Sequence, residues 1–125
     1  MAGAGADTFL FESVGQSSAT LAGFDRLVGF DDAEDKIDLG FAISAFAGPV
    51  TASASAASFG ADLQAGIAVL GIGQALLFTA GGGDLDTRTF LVINANGTAG
   101  FQAAGDFVIE IVTPVSAIDQ LGMFI

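Results

Sequence analysis

Five carboxylates, Asp31, Asp32, Glu34, Asp35 and Asp38, fall within eight residues, with Lys36 as the lone cation among them. Like charges crowded in this way repel and push one another's pKa values upward unless something cationic sits between them. One lysine cannot offset five acids, so the spacing asks for a cation from outside the chain, and carboxylate oxygens suit a hard divalent ion. Against that, charge runs commonly make a solvated face, and Asp and Glu are ordinary turn residues. The acidic segment by itself leaves both readings open. A second carboxylate pair, Asp84 and Asp86 beside Gly81-Gly82-Gly83, lacks a spacing that points to any chemistry.

The rest of the composition excludes more than it offers. The 125 residues contain no His, Cys, Trp or Tyr, so an imidazole base, a thiol nucleophile, a zinc site of Cys or His type and a disulfide framework are all ruled out. Catalysis within this chain is not expected. The formal charge is −11, and Arg26, Lys36 and Arg88 are the only basic side chains. That footprint is too small for nucleic acid or an anionic bilayer. The uncharged run from Leu63 to Gly83 has the length of a membrane span, but Gln64 and Gln74 interrupt it, glycines break it and acids flank it. A helix followed by a strand is the better reading. With 52% apolar residues and twelve Phe, the chain can bury a core as a single domain, 1–125.

The N-terminal run Gly3-Ala4-Gly5-Ala6-Asp7-Thr8-Phe9 matches the later part of the nonapeptide G-G-x-G-x-D-x-U-x. There, glycines permit a tight turn, carbonyl and carboxylate oxygens bind calcium, and the apolar U residue packs inward. A single copy equally suits a flexible lead-in. Followed by Asp25-Arg26-Leu27-Val28-Gly29-Phe30-Asp31 and by Glu34-Asp35-Lys36-Ile37-Asp38-Leu39, however, it resembles the repeats-in-toxin (RTX) calcium-binding proteins. The likeness is greatest to the C-terminal module shared with serralysin-type secreted proteases, where the order GADTFxF, DxIxxF, DKIDL recurs, and it spans Gly3 to Leu39. Later runs, "FLVINANG" and "DFVIEIV", are similar to the later strands of that module and of the acidic C-terminal domains called bluetail.

The resemblance implies a β-roll edge, residues 1–12 as half a repeat, running into a β-sandwich over 13–125, in a protein that continues upstream. It implies Ca2+ as the bound ion, with Asp7 as a ligand, Gly3 and Gly5 as carbonyl donors, and Asp25, Asp35 and Asp38 at acidic positions. Asp31, Asp32 and Glu34 are further candidates. Where the family often has Asp-x-Asp-Gly-Asp-Gly, this chain has Asn94-Ala95-Asn96-Gly97-Thr98, whose neutral amides lack the charge that drives calcium affinity.

These groups need elements to hold them. Thr8-Phe9-Leu10-Phe11, Arg26 to Phe30, Ala75 to Thr79, Thr89 to Ile93 and Phe107 to Val112 read as strands. Lys36 and Asp38 alternate with Ile37 and Leu39, so a strand there buries the second pair and exposes the first. Phe59, Leu63, Ile67 and Leu70 fall at helical spacing, predicting one short helix near 58–70 with Ser58 as N-cap and Asp62 in its first turn. Ala42 to Ala57 reads as loop or small-residue packing, and Asn96-Gly97 as a two-residue hairpin. The fold class expected is mostly β with one helix.

The first residues have neither a basic region nor a continuous apolar stretch, so a Sec-type signal is not expected. The resemblance implies a secreted, extracellular or cell-surface location reached through type I secretion machinery. The expected function is thus a non-catalytic, calcium-dependent folding and export module attached to upstream domains of its parent protein. The alternative, from a different class, is a self-associating structural or adhesive extracellular protein in which calcium is incidental, its motive being the edge strand that half a repeat leaves open.

Overall fold

The computed structural model describes residues 5–11, 24–47, 49–67, 70–95, 97–102, 105–114, 118 and 121–124. The strands are β1 (Thr8–Leu10), β2 (Asp25–Val28), β3 (Lys36–Asp38), β4 (Ala45–Phe46), β5 (Val50–Ala52), β6 (Gln74–Ala80), β7 (Thr89–Ile93) and β8 (Phe107–Val112), with one α-helix, α1 (Phe59–Gly66). The chain is mostly β with one short helix and a mixed sheet.

The apolar, β-branched runs at β6, β7 and β8 form an antiparallel meander, with Leu76 opposite Val92 and Leu91 opposite Ile109. β2 joins the outer edge of β8 in parallel, and β4 and β5 share the outer edge of β6, also in parallel. Strands that run apolar on both sides belong inside a sheet covered on both faces, and that is where these lie. On one face Leu76, Phe78, Phe90, Val92 and Val108 meet Phe59 and Leu63 of α1. Each fully buried side chain of this kind contributes roughly 1.5–3 kcal/mol. On the other face Leu91, Ile93, Ile109 and Ile111 pack under a separate two-stranded layer, β1 parallel to β3, which contributes the buried Ile37.

Several expectations change. α1 stops at Gly66 rather than near residue 70, and Leu70 packs in the same core from beyond the helix. Ser58 does not cap through its side chain; its hydroxyl donates to Asp62 Oδ2 at 2.7 Å, and the same oxygen accepts the Ser55 N–H at 2.9 Å. The aspartate thus reaches back over the helix start. The Ala/Ser-rich stretch 42–57 holds β4 and β5, paired through backbone groups that its composition does not advertise. Between β7 and β8 there is no two-residue hairpin: Ile93 pairs with Phe107 and the connection spans 94–106, with Asn96 outside the described residues. Buried Asn94 and Asp106 organise that connection. Asn94 Nδ2 donates to the Thr98 carbonyl at 2.8 Å, and Asp106 accepts N–H groups of Ala95 and Gln102 at 2.9 and 2.8 Å. The Leu63 to Gly83 run divides into the end of α1, a connection and β6, and no helix among the described residues is long and apolar enough to cross a membrane.

Candidate functional site

The acidic segment folds as a turn that delivers the chain into β3. The N–H groups of Glu34 and Asp35 donate to the Asp31 carbonyl at 3.1 and 2.7 Å, and Asp31 Oδ1 accepts the Ala33 N–H at 3.0 Å. This is the local bonding that makes Asp a turn residue. The chain leaves the turn extended, and β3 lies along β1 with Thr8 opposite Lys36, Phe9 opposite Ile37 and Leu10 opposite Asp38. Ile37 is fully buried and Leu39 nearly so, while Lys36 and Asp38 lie half-buried, as the alternation predicts.

Asp35 joins the two segments. Its side chain is buried, with Oδ1 accepting the Asp7 N–H at 2.9 Å and Oδ2 accepting the Asp31 N–H at 2.9 Å. The Asp7 carbonyl in turn accepts the Lys36 N–H at 2.7 Å. The segments Asp7-Thr8-Phe9 and Asp35-Lys36-Ile37 therefore stack in register as two copies of Asp-x-apolar. Gly5, just upstream, has φ +96°, a conformation that glycine adopts readily and L residues rarely do. Lys36 Nζ donates to the Gly122 carbonyl at 3.0 Å, Phe124 bridges to Ile37, and Met123 is buried, so the C-terminal residues close the other side of β3.

The structure thus brings Asp7, Asp31 and Asp35 together, with buried Asp32 and exposed Glu34 in the same turn. Asp38 sits at the far end of β3, where Oδ1 accepts the Gly40 N–H at 3.1 Å. Asp25 does not join them: it begins β2 in the central sheet, opposite Ile109. A cleft of about 380 Å3 lies between Asp25–Leu27 and Thr8–Phe11. Gly3 lies outside the described residues. Among the described residues, no three acidic side chains converge closely enough to hold a metal ion.

A second polar cluster was not anticipated from the sequence. Glu110, in the middle of β8, is buried, opposite Arg26 on one side and Phe90 on the other. Arg88 holds it with two bonds of 2.7 Å, Nε to Oε2 and Nη2 to Oε1, and Arg26 Nε adds a contact of 2.9 Å to Oε1. Burial pushes the Glu110 pKa up, but the hydrogen bonds and charge of Arg88, joined by Arg26, outweigh it and hold the carboxyl below its ordinary range. Arg88 also lies over the rings of Phe24 and Phe90, 5.6 and 5.9 Å from their centres. Two of the three cations thus serve one carboxylate. The sequence signal for it is a lone acid inside Phe107-Val108-Ile109-Glu110-Ile111-Val112, which cannot be buried without a cationic partner.

Comparison with models of known families, with curated proteins and with solved structures finds no match.

Proposed function

We propose that this chain is a non-catalytic, calcium-dependent folding module of a secreted protein, in which the β1–β3 layer is the terminal turn pair of a β-roll. One observation carries the reading: Asp7-Thr8-Phe9 and Asp35-Lys36-Ile37 stack in parallel register, behind a glycine at φ +96°. In a calcium-binding repeat the Asp-x-apolar unit supplies one carboxylate and one inward side chain per turn, and an ion is held by oxygens of successive turns. Asp7 and Asp35 are the carboxylates of those two turns, and carbonyls such as that of Gly5 complete the oxygen set.

Mechanistically, where free calcium is low the chain carries its full −11 charge, repels itself and stays competent for export through a type I channel. Outside, an ion that binds only the folded chain stabilises it by mass action. At a concentration 100 times the dissociation constant that amounts to about 2.7 kcal/mol. For a chain of this length the midpoint of thermal unfolding then rises by roughly 10 °C.

The test is thermal unfolding followed by far-UV circular dichroism in excess EDTA, in millimolar calcium and in equal magnesium. Calcium alone is expected to raise the midpoint, and Asp7→Asn and Asp35→Asn are expected to diminish that rise more than Asp62→Asn does. A midpoint that calcium leaves unchanged, or equal losses in all three variants, would sink the reading. In that case self-association takes its place, favoured by Leu10, which stands 55% exposed on β1. Light scattering coupled to size exclusion then reads the oligomeric state.

A further inference from the structure

The Glu110 cluster forms part of the wall of a cavity of about 970 Å3, whose apolar residues Phe46, Leu77, Ile111 and Ile118 belong to the same core as Ile37 of β3. Its volume is at the upper end of the range for small-molecule sites. The remaining wall comes from the connection between β4 and β5, from the residues leading into β7 and from those leaving β8. Phe46, Leu77 and Ile111 make much of that surface apolar.

Two backbone features single out the same place. Among the described residues, the only ones other than glycine with positive φ are Thr87, at 71°, and Thr113, at 44°. Both line this cavity. A β-branched side chain in the left-handed region is a real outlier, and strain of that kind collects at binding and catalytic sites, where surrounding structure holds it. Thr87 ends the turn that leads into β7, its N–H donating to the Ala80 carbonyl at 2.8 Å, and Thr113 follows the last residue of β8.

The charges decide what kind of molecule fits. Among the residues lining the cavity, Arg26 and Arg88 stand against the single carboxylate of Glu110, with the charge of Asp84 also felt at Arg88, in a chain that is −11 overall. Glu110 engages Nε and Nη2 of Arg88 and Nε of Arg26, so further guanidinium N–H groups remain for another acceptor. Arg26 is 58% exposed and Arg88 37%, which keeps them within reach of solvent and of a ligand. Glu110, the one acid lining the cavity, is already engaged by both arginines, and a multiply charged anion meets the repulsion of the whole chain.

We infer that this cavity binds an amphipathic monocarboxylate, its apolar body against Phe46, Leu77 and Ile111 and its carboxylate on Arg26 and Arg88. The guanidinium fork matches a carboxylate and fixes its orientation.

Isothermal titration calorimetry with decanoate as probe, below its micellar concentration, tests this, with decanol as the uncharged control of the same body. The intact chain is expected to take up one decanoate per molecule, at least tenfold tighter than decanol. Arg26→Gln, at an exposed position, is expected to remove that tenfold preference and leave the unfolding midpoint within a few degrees. Ala47→Phe, which fills the cavity without touching a charge, is expected to abolish uptake of both probes. Equal affinity for decanoate and decanol, undiminished uptake by folded Ala47→Phe, or no saturable uptake by the unaltered chain would each overturn the proposal.

Discussion

Asp35 and Glu110 are both buried carboxylates, and they are satisfied in opposite ways. Asp35 accepts two backbone N–H groups, one from Asp7 and one from Asp31, and among the described residues forms no ion pair with a basic side chain. Glu110 lies in the centre of a sheet whose backbone groups are already paired, so only side chains can reach it, and it takes two of the three cations in the molecule. The difference shows how a chain of net charge −11 folds with so few bases. Where the backbone has spare donors, at turns and strand entries, it supplies the counter-dipoles. Where it has none, guanidinium must come from neighbouring strands.

The contrast can be broken most forcefully at Arg88. Arg88→Ala leaves Glu110 buried with only the exposed Arg26 beside it, and a loss of about 3 kcal/mol is expected in urea unfolding. Arg26→Ala should cost less than about 1 kcal/mol, because that partner is largely in water. Asp35→Ala orphans two backbone donors and is expected to cost about 2 kcal/mol, with Asp35→Asn, which keeps one acceptor, roughly half as damaging. If Asp35→Ala proves harmless, the backbone clamp is not what holds β1 to β3.

Acid sharpens the same comparison. The Glu110 carboxyl is held below its unfolded value of 4.5, so its contribution is fully present above that pH and is lost as pH falls through the lower, folded value. Stability measured from pH 6 down should therefore fall more steeply in the intact chain than in Glu110→Gln, the divergence opening below about pH 4.5. The smallest effect is expected at Lys36→Met, which removes one exposed hydrogen bond worth about 0.5 kcal/mol. Hydrogen exchange should speed up at residues 121–124 while exchange in β6–β8 stays unchanged.

Much of the framework was legible in the residues. β7 and β8 begin and end where the apolar, β-branched runs do, and the alternation Lys36-Ile37-Asp38-Leu39 gave the buried face of β3 correctly. β4 and β5 were not legible, because Ala45-Phe46 and Val50-Thr51-Ala52 are too short to show a period within an Ala/Ser-rich stretch, and those strands exist through pairing with β6. Asn94-Ala95-Asn96-Gly97 looked like a hairpin, but the core residue Phe101, between it and β8, needs a longer connection. At the candidate site, the turn around Asp31 follows from local residue types, whereas the stacking of Asp7 on Asp35 rests on a parallel pairing across 28 residues. The meeting of Arg26 with Glu110 likewise depends on a parallel pairing between distant strands that no local pattern encodes.

That parallel pairing also governs time. β2 docks on β8 and Lys36 reaches Gly122 across a separation of 86 residues, so both layers are completed by contacts between distant parts of the chain. Loop-closure entropy must be spent before such contacts return anything, which places the chain among slow folders, in the range of milliseconds to seconds. A polypeptide emerging in sequence from either a ribosome or a channel cannot finish either layer until its last strand is free. Its folding is timed by release, whatever ion or ligand later secures the result.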